Sequence, residues 1–244
     1  MDIQKKLNKK EKSRLIIDYF HRIMMHHTMW FSEVQHQLGK EKALEIMSEV
    51  YKKSYALQMK RLGKILNFEM DDDVPVSMMG MQDEELDALK EAVAVNWLAN
   101  DGIWFQAVEL KLGMFDAKRC NDSCWGQFSP FEAWSIKRML DMEKNPGLEG
   151  LKIALQYRLY AAVNKQSVIE ETDNSFVFLM NDCRVQSARR RKGMDDYPCK
   201  SAGIVEYRTF AEAIDADITT ECIACPPDKL ERDYYCGWKF TLNR

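Results

Sequence analysis

From Ser13 to Gln37 apolar residues recur at three- and four-residue spacing: Ile16, Tyr19, Phe20, Ile23, Met24, Trp30, Phe31 and Val34, with Leu38 closing the run. That period predicts an amphipathic helix, and Leu38-Gly39 predicts its end, because glycine suits the left-handed cap position. A second helix is predicted over Lys42 to Leu66. Asn67 to Gln82 breaks the period with Asp71-Asp72-Asp73, Pro75 and Met78-Met79-Gly80-Met81, and is expected to be a loop. Asp83-Glu84-Glu85 opens a further helix, with acidic side chains where the helix dipole favours them. Asn145-Pro146-Gly147 is a strong stop, and one more helix is predicted from Leu148 to Val163.

A gap-free shift of 74 residues brings two parts of this pattern into register. Trp30-Phe31 falls on Trp104-Phe105, Val34 on Val108, Leu38-Gly39 on Leu112-Gly113 and Ala43 on Ala117. The matches sit where a helical hairpin needs them, at aromatic anchors, apolar face and glycine cap. The N-terminal part therefore reads as two related helix pairs, about 13–66 and 87–140, within a helical region spanning 1–150.

Beyond residue 150 the period changes to two. Ser167 to Glu171 and Ser175 to Met180 read as a hairpin around Thr172-Asp173-Asn174, with Phe176, Phe178 and Met180 on one face. Gly203 to Ile214 reads as helix and Ile218 to Ile223 as a short strand. In the last stretch Cys236, Trp238, Phe240 and Leu242 alternate with Tyr235, Gly237, Lys239 and Thr241, a clear strand pattern. Residues 151–244 are thus expected to form a small antiparallel sheet with one or two helices, which makes the whole an α+β protein.

Composition narrows the function. The chain has 244 residues, 46% hydrophobic and 30% charged, with a net charge of −3. That balance argues against a nucleic-acid binder. No run of apolar residues is long enough to span a membrane. The basic start, Met1 to Lys10, lacks the apolar stretch of a secretory signal. A cytoplasmic, reducing location is expected, and there clustered thiols are more often metal ligands or reactive groups than disulfides.

Seven cysteines are present, an odd number, and five lie in the C-terminal part: Cys183, Cys199, Cys222, Cys225 and Cys236. Cys222-Ile223-Ala224-Cys225 is a C-x2-C knuckle, whose tight turn aims two thiolates at one ion. Cys199, Cys236 and Cys183 are the candidates to complete four-coordination. Four thiolates suit zinc or an iron–sulfur cluster. The dispersed ligands favour zinc, since ferredoxin-type clusters take three cysteines from one short run. Between Cys183 and Cys199 lie Arg184, Arg189, Arg190, Arg191 and Lys192, read either as a solvated loop or as the grip for a small anion. Asn100 and Asp101 stand one turn before Trp104-Phe105, where the repeat places His26 and His27 before Trp30-Phe31. Asp101 and Trp104 are therefore candidates to line a pocket. Cys120 and Cys124, four apart, are expected to pack in the core.

Asn96-Trp97-Leu98-Ala99-Asn100-Asp101-Gly102-Ile103-Trp104-Phe105-Gln106-Ala107-Val108-Glu109 resembles the signature of an uncharacterised family of prokaryotic cytosolic proteins. So do Met180-Asn181-Asp182-Cys183-Arg184-Val185-Gln186, Gly203-Ile204-Val205-Glu206-Tyr207 and Glu221-Cys222-Ile223-Ala224-Cys225-Pro226-Pro227-Asp228. More distantly, Cys183, Cys199 and Cys236 resemble the scattered cysteines of the L-2-amino-thiazoline-4-carboxylic acid hydrolase family, from which the C-x2-C departs. The expectation is a zinc-binding protein whose metal staples the C-terminal sheet, with a pocket for a small anionic molecule between sheet and helices. The alternatives are a hydrolase of the thiazoline-carboxylate type or an iron–sulfur redox or sensor protein.

Overall fold

The computed structural model describes residues 6–228 and 232–244, so the first five residues of the basic N-terminal stretch lie outside the described residues. The chain parts into two compact units, Met1–Gly80 and Met81–Arg244. The boundary expected near residue 150 is therefore displaced by some 70 residues, and the reason is packing. Ala133 and Ile136 of the second helix pair sit in the same core as the sheet.

The first unit is a helical hairpin, α1 (Lys9–Leu38) and α2 (Lys40–Leu66). It is followed by two-residue strands β1 (Met70–Asp71) and β2 (Val74–Pro75), paired antiparallel, and the single turn α3 (Val76–Met79). This ordered segment replaces the loop expected from Asn67 to Gln82. Asn8 and Glu11 form a capping box that starts α1.

The second unit begins with α4 (Asp83–Leu112) and α5 (Met114–Met139). Both helices of each pair start 74 positions apart, as do the ends of α1 and α4. The joints match as well. Gly39 and Gly113 have φ of 85° and 92°, a region costly for residues with a Cβ. Each glycine N–H closes the helix before it, on Gln35 or Glu109 O, and each carbonyl accepts from the alanine that follows, Ala43 or Ala117. Both alanines are buried.

Then come α6 (Gly147–Gln156), strands β3 (Lys165–Ile169) and β4 (Ser175–Asp182), helices α7 (Arg184–Arg191) and α8 (Lys200–Ile214), and strands β5 (Ile218–Ala224) and β6 (Cys236–Leu242). The strands form an antiparallel sheet in the order β3-β4-β6-β5. Phe176, Phe178 and Met180 oppose Phe240, Trp238 and Cys236, so the expected apolar face is real and continues across β6. Against it pack Tyr207, Phe210, Ala211 and Ile214 of α8, with Leu151, Ala154 and Leu155 of α6.

Two sequence expectations need correction. The helix foreseen from Leu148 to Val163 stops at Gln156. There the chain turns to bury the Arg158 guanidinium, and the Leu159 N–H donates to Glu132 Oε1 instead of to its own helix. The basic run is helix α7 and not a loop. Arginine, glutamine and alanine are good helix formers, and the helix ends at Arg191, two residues before Gly193, whose φ is 66°. Among the described residues no helix is long and apolar enough to cross a membrane.

Candidate ligand cavity and cysteine cluster

The second unit holds a half-open cavity of about 300 Å³. Helix α4 supplies Leu98, Asp101 and Phe105, and α5 supplies Asn121 and Trp125. The floor comes from Met180 of β4, Trp238 of β6 and Gly203, Glu206 and Tyr207 of α8. Gly203 is there for space: a Cβ would lie 2.5 Å from the Trp238 ring. Tyr207 stacks on Trp238 at 4.7 Å, and Tyr160 on Trp125 at 5.4 Å. Phe105 and Tyr197 add to these rings, so aromatic side chains come from several sides of the cavity.

One wall is sulfur. Cys183, Cys199, Cys225 and Cys236 all border the cavity. The sulfurs of Cys199 and Cys225 are 3.5 Å apart, and Cys236 is also within hydrogen-bonding reach of Cys225. The contact with Cys225 holds the Cys199 pKa below the ordinary thiol value, helped by the Gln186 amide, which donates to Cys199 Sγ at 3.5 Å. Cys199 also stands at the N-cap of α8, where helix N–H groups favour a thiolate. Cys225 is shifted upward by its contacts with Cys199 and Cys236 and by burial. Burial pushes Cys183 up to about 12 and Cys222 up to about 11.

Of the five cysteines, Cys222 lies off the cavity. It sits on β5 opposite Trp238, with a bulge between it and Ala224, and its charge is felt with those of Cys199 and Cys236. The chain after the bulge turns Cys225 inward, and Asp228 fixes that turn by accepting from the Cys225 N–H while pairing with Lys200. Among the described residues no group of three or more Cys, His, Asp or Glu side chains is disposed to hold a metal ion. The donor set is nonetheless thiol-rich, with three sulfurs in hydrogen-bonding contact.

The cationic residues divide. Arg184, Arg189, Arg191 and Lys192 border the cavity from α7 and the turn after it. Arg190 turns away, gripping Asp196 with two hydrogen bonds of 2.8 Å and lying 5.0 Å over the Tyr235 ring. Asp101 faces the cavity, but Trp104 does not: it is 65% exposed, and its neighbour Phe105 forms the wall. Asn100, His26 and His27 are exposed, and Cys120 and Cys124 are also exposed rather than in the core.

Sequence reasoning left out several walls of this site. Tyr160 and Asn164 carried no motif, and Gln186 stood only within the family-like string Met180 to Gln186. Glu206 had a readable signal, since it stands seven residues after Cys199 on one helix, hence on the same face. It is paired with Arg158 at 2.7 Å, but that guanidinium is shared with Glu132. Burial therefore wins, and the Glu206 carboxyl is pushed up to about 7 from an ordinary 4.5. The folded protein then holds a proton that the unfolded chain has already shed, so stability should fall as pH rises from 4.5 through 7. We expect urea unfolding to show up to ~3 kcal/mol less stability at pH 8 than at pH 4.5 from this group. A Glu206→Gln variant with an unchanged pH slope would exclude Glu206 as the source.

The profile of a family of unknown function (DUF6125) matches residues 79–242. The chain belongs to this family. The matched span takes in α4 to β6, and with them every residue that borders the cavity. No curated protein matches, so the likeness to thiazoline-carboxylate hydrolases gains no support there. Among solved structures, the phenol-responsive sensory domain of the transcription activator PoxR with phenol aligns at 15% identity and a TM-score of 0.40. That alignment covers 66% of this chain and 75% of that one.

Proposed function

We propose that the protein binds a small anionic molecule with an apolar body, in a cavity whose cysteine wall is held by a structural zinc ion. The observation that carries this reading is the graded lining of the cavity: aromatic rings at its floor, thiols on one side and arginines at its mouth. Such a cavity, mainly apolar with a few convergent polar groups, is the usual form of a small-molecule site. Cavities of this size suit compact ligands.

Zinc is supported by the chemistry of the donors. Cys199, Cys225 and Cys236 would hold it, with Cys222 or Cys183 as the fourth ligand, and a tetrathiolate site of this kind contributes to folding. It would tie the start of α8 to β6 and to the turn after β5, closing one wall of the cavity. The surplus cysteine stays a free thiol.

The test begins with anaerobic purification and measurement of zinc, iron and acid-labile sulfide. One zinc per chain is expected. Stoichiometric iron with sulfide would replace zinc by a cluster, and a fully folded protein without metal would defeat the metal half of the reading. Cys225→Ser should lose the metal and destabilise the second unit by several kcal/mol, as removal of a structural metal ligand does. The ligand half is tested by calorimetry with 3-phenylpropanoate, where binding weakened by Arg184→Gln with Arg191→Gln is the expected result.

A further inference from the structure

Asp101 borders the cavity without a hydrogen bond or ion pair to any described residue. Its surroundings make that costly. Trp125, Phe105, Tyr160, Tyr197 and Tyr207 line the same cavity, and burial raises its carboxyl pKa. Burial pushes the Tyr160 and Tyr197 phenols and the Cys124 thiol upward, and the charge of Asp101 adds to each shift. Proteins meet a carboxylate in such a place with a cation. The other acid at the cavity, Glu206, has Arg158. Asp101 has no such partner, and the aromatic faces around it are themselves attractive to a positive charge.

The mouth carries the opposite sign. Arg184, Arg189, Arg191 and Lys192 reach the cavity, and Tyr197 feels both ends, raised by Asp101 and lowered by Arg189. Asp101 and these cations border one and the same cavity, so a single compact molecule can meet both. Size sets the third constraint. A cavity of about 150 Å³ holds benzene. The 300 Å³ here therefore corresponds to roughly twelve non-hydrogen atoms.

We infer that the ligand is a small zwitterion with an aromatic body, of the aromatic α-amino acid class, its ammonium met by Asp101 and its carboxylate by the α7 arginines. This rests on the anion-binding reading above and adds to it a cationic half and a size. The aromatic body lies against Trp125, Tyr207 and Trp238.

Three probes that share one body separate the two ideas: L-phenylalanine, 2-phenylethylamine and 3-phenylpropanoate. Each is titrated calorimetrically into the full chain purified with its metal, and into Asp101→Asn. Phenylalanine should bind at least tenfold more tightly than either single-charge probe. Asp101→Asn should weaken phenylalanine and the amine at least tenfold and phenylpropanoate less than twofold. The isosteric change removes an unpaired, partly buried charge, so the variant's thermal midpoint should equal or exceed that of the parent. Phenylpropanoate bound as tightly as phenylalanine would overturn the zwitterion and leave the anion site standing. No binding of any probe would overturn both. Equal weakening of all three probes, with a lowered midpoint, would make Asp101 structural and overturn the inference.

Discussion

Arg158→Leu is expected to cost the second unit about 3–5 kcal/mol in a urea titration at neutral pH, the range for removing one partner of a buried ion pair. Arg158 is 3% exposed, with Nε 2.8 Å from Glu132 and an amino group 2.7 Å from Glu206. Its guanidinium also lies 4.6 Å over the Phe210 ring. Leucine fills part of the volume but leaves two carboxylates without a counter-charge in the interior. Those carboxylates must then be protonated for the chain to fold, so the loss should shrink at pH 5. Replacing Glu132 and Glu206 by apolar residues together with Arg158→Leu should recover most of the stability, since buried ion pairs exchange well for packed hydrocarbon. A loss unaffected by these second changes would mean that Arg158 acts through packing alone.

Trp238→Ala is the second large effect, with an expected loss of about 3–5 kcal/mol for a fully buried tryptophan. The ring is 0% exposed, stacks on Tyr207 and fills the space left by Gly203. It also forms the cavity floor between the thiols and α8. The variant should therefore lose affinity for 3-phenylpropanoate as well as stability. Circular dichroism and calorimetry on one sample would show both. Lost stability with unchanged affinity would move the ligand away from the floor.

Much of this architecture was legible because it follows from spacing. The shift that pairs Trp30-Phe31 with Trp104-Phe105 also pairs Gly39 with Gly113 and Ala43 with Ala117, and those residues make the same joint twice. The alternation from Cys236 to Leu242 marked β6 because Trp238 and Phe240 lie in the core while Lys239 between them is exposed. What escaped was set by contacts distant in sequence. Helix α6 ends where Glu132, 26 residues back, captures Arg158, and no local pattern encodes that. The basic run looked like a loop because charge was weighed above helix propensity. Trp104 was favoured over Phe105 because an aromatic pair on a helix does not reveal which ring faces inward. The gathering of Cys199, Cys225 and Cys236 was foreshadowed by residue type, but their contact depends on the bulge in β5 and the turn held by Asp228.

The strand order has a consequence for how the protein is made. β6 lies between β4 and β5, although it is the last strand to be synthesised. A ribosome adding about 5–20 residues per second needs several seconds to cover the roughly fifty residues between the two central strands. Throughout that interval the strand of Phe176, Phe178 and Met180 has β3 on one side but no partner on the side that β6 will take. The nascent chain thus carries an apolar, unpaired strand edge for a time set by translation speed, and slowing codons in the segment after β4 would lengthen the window for aggregation.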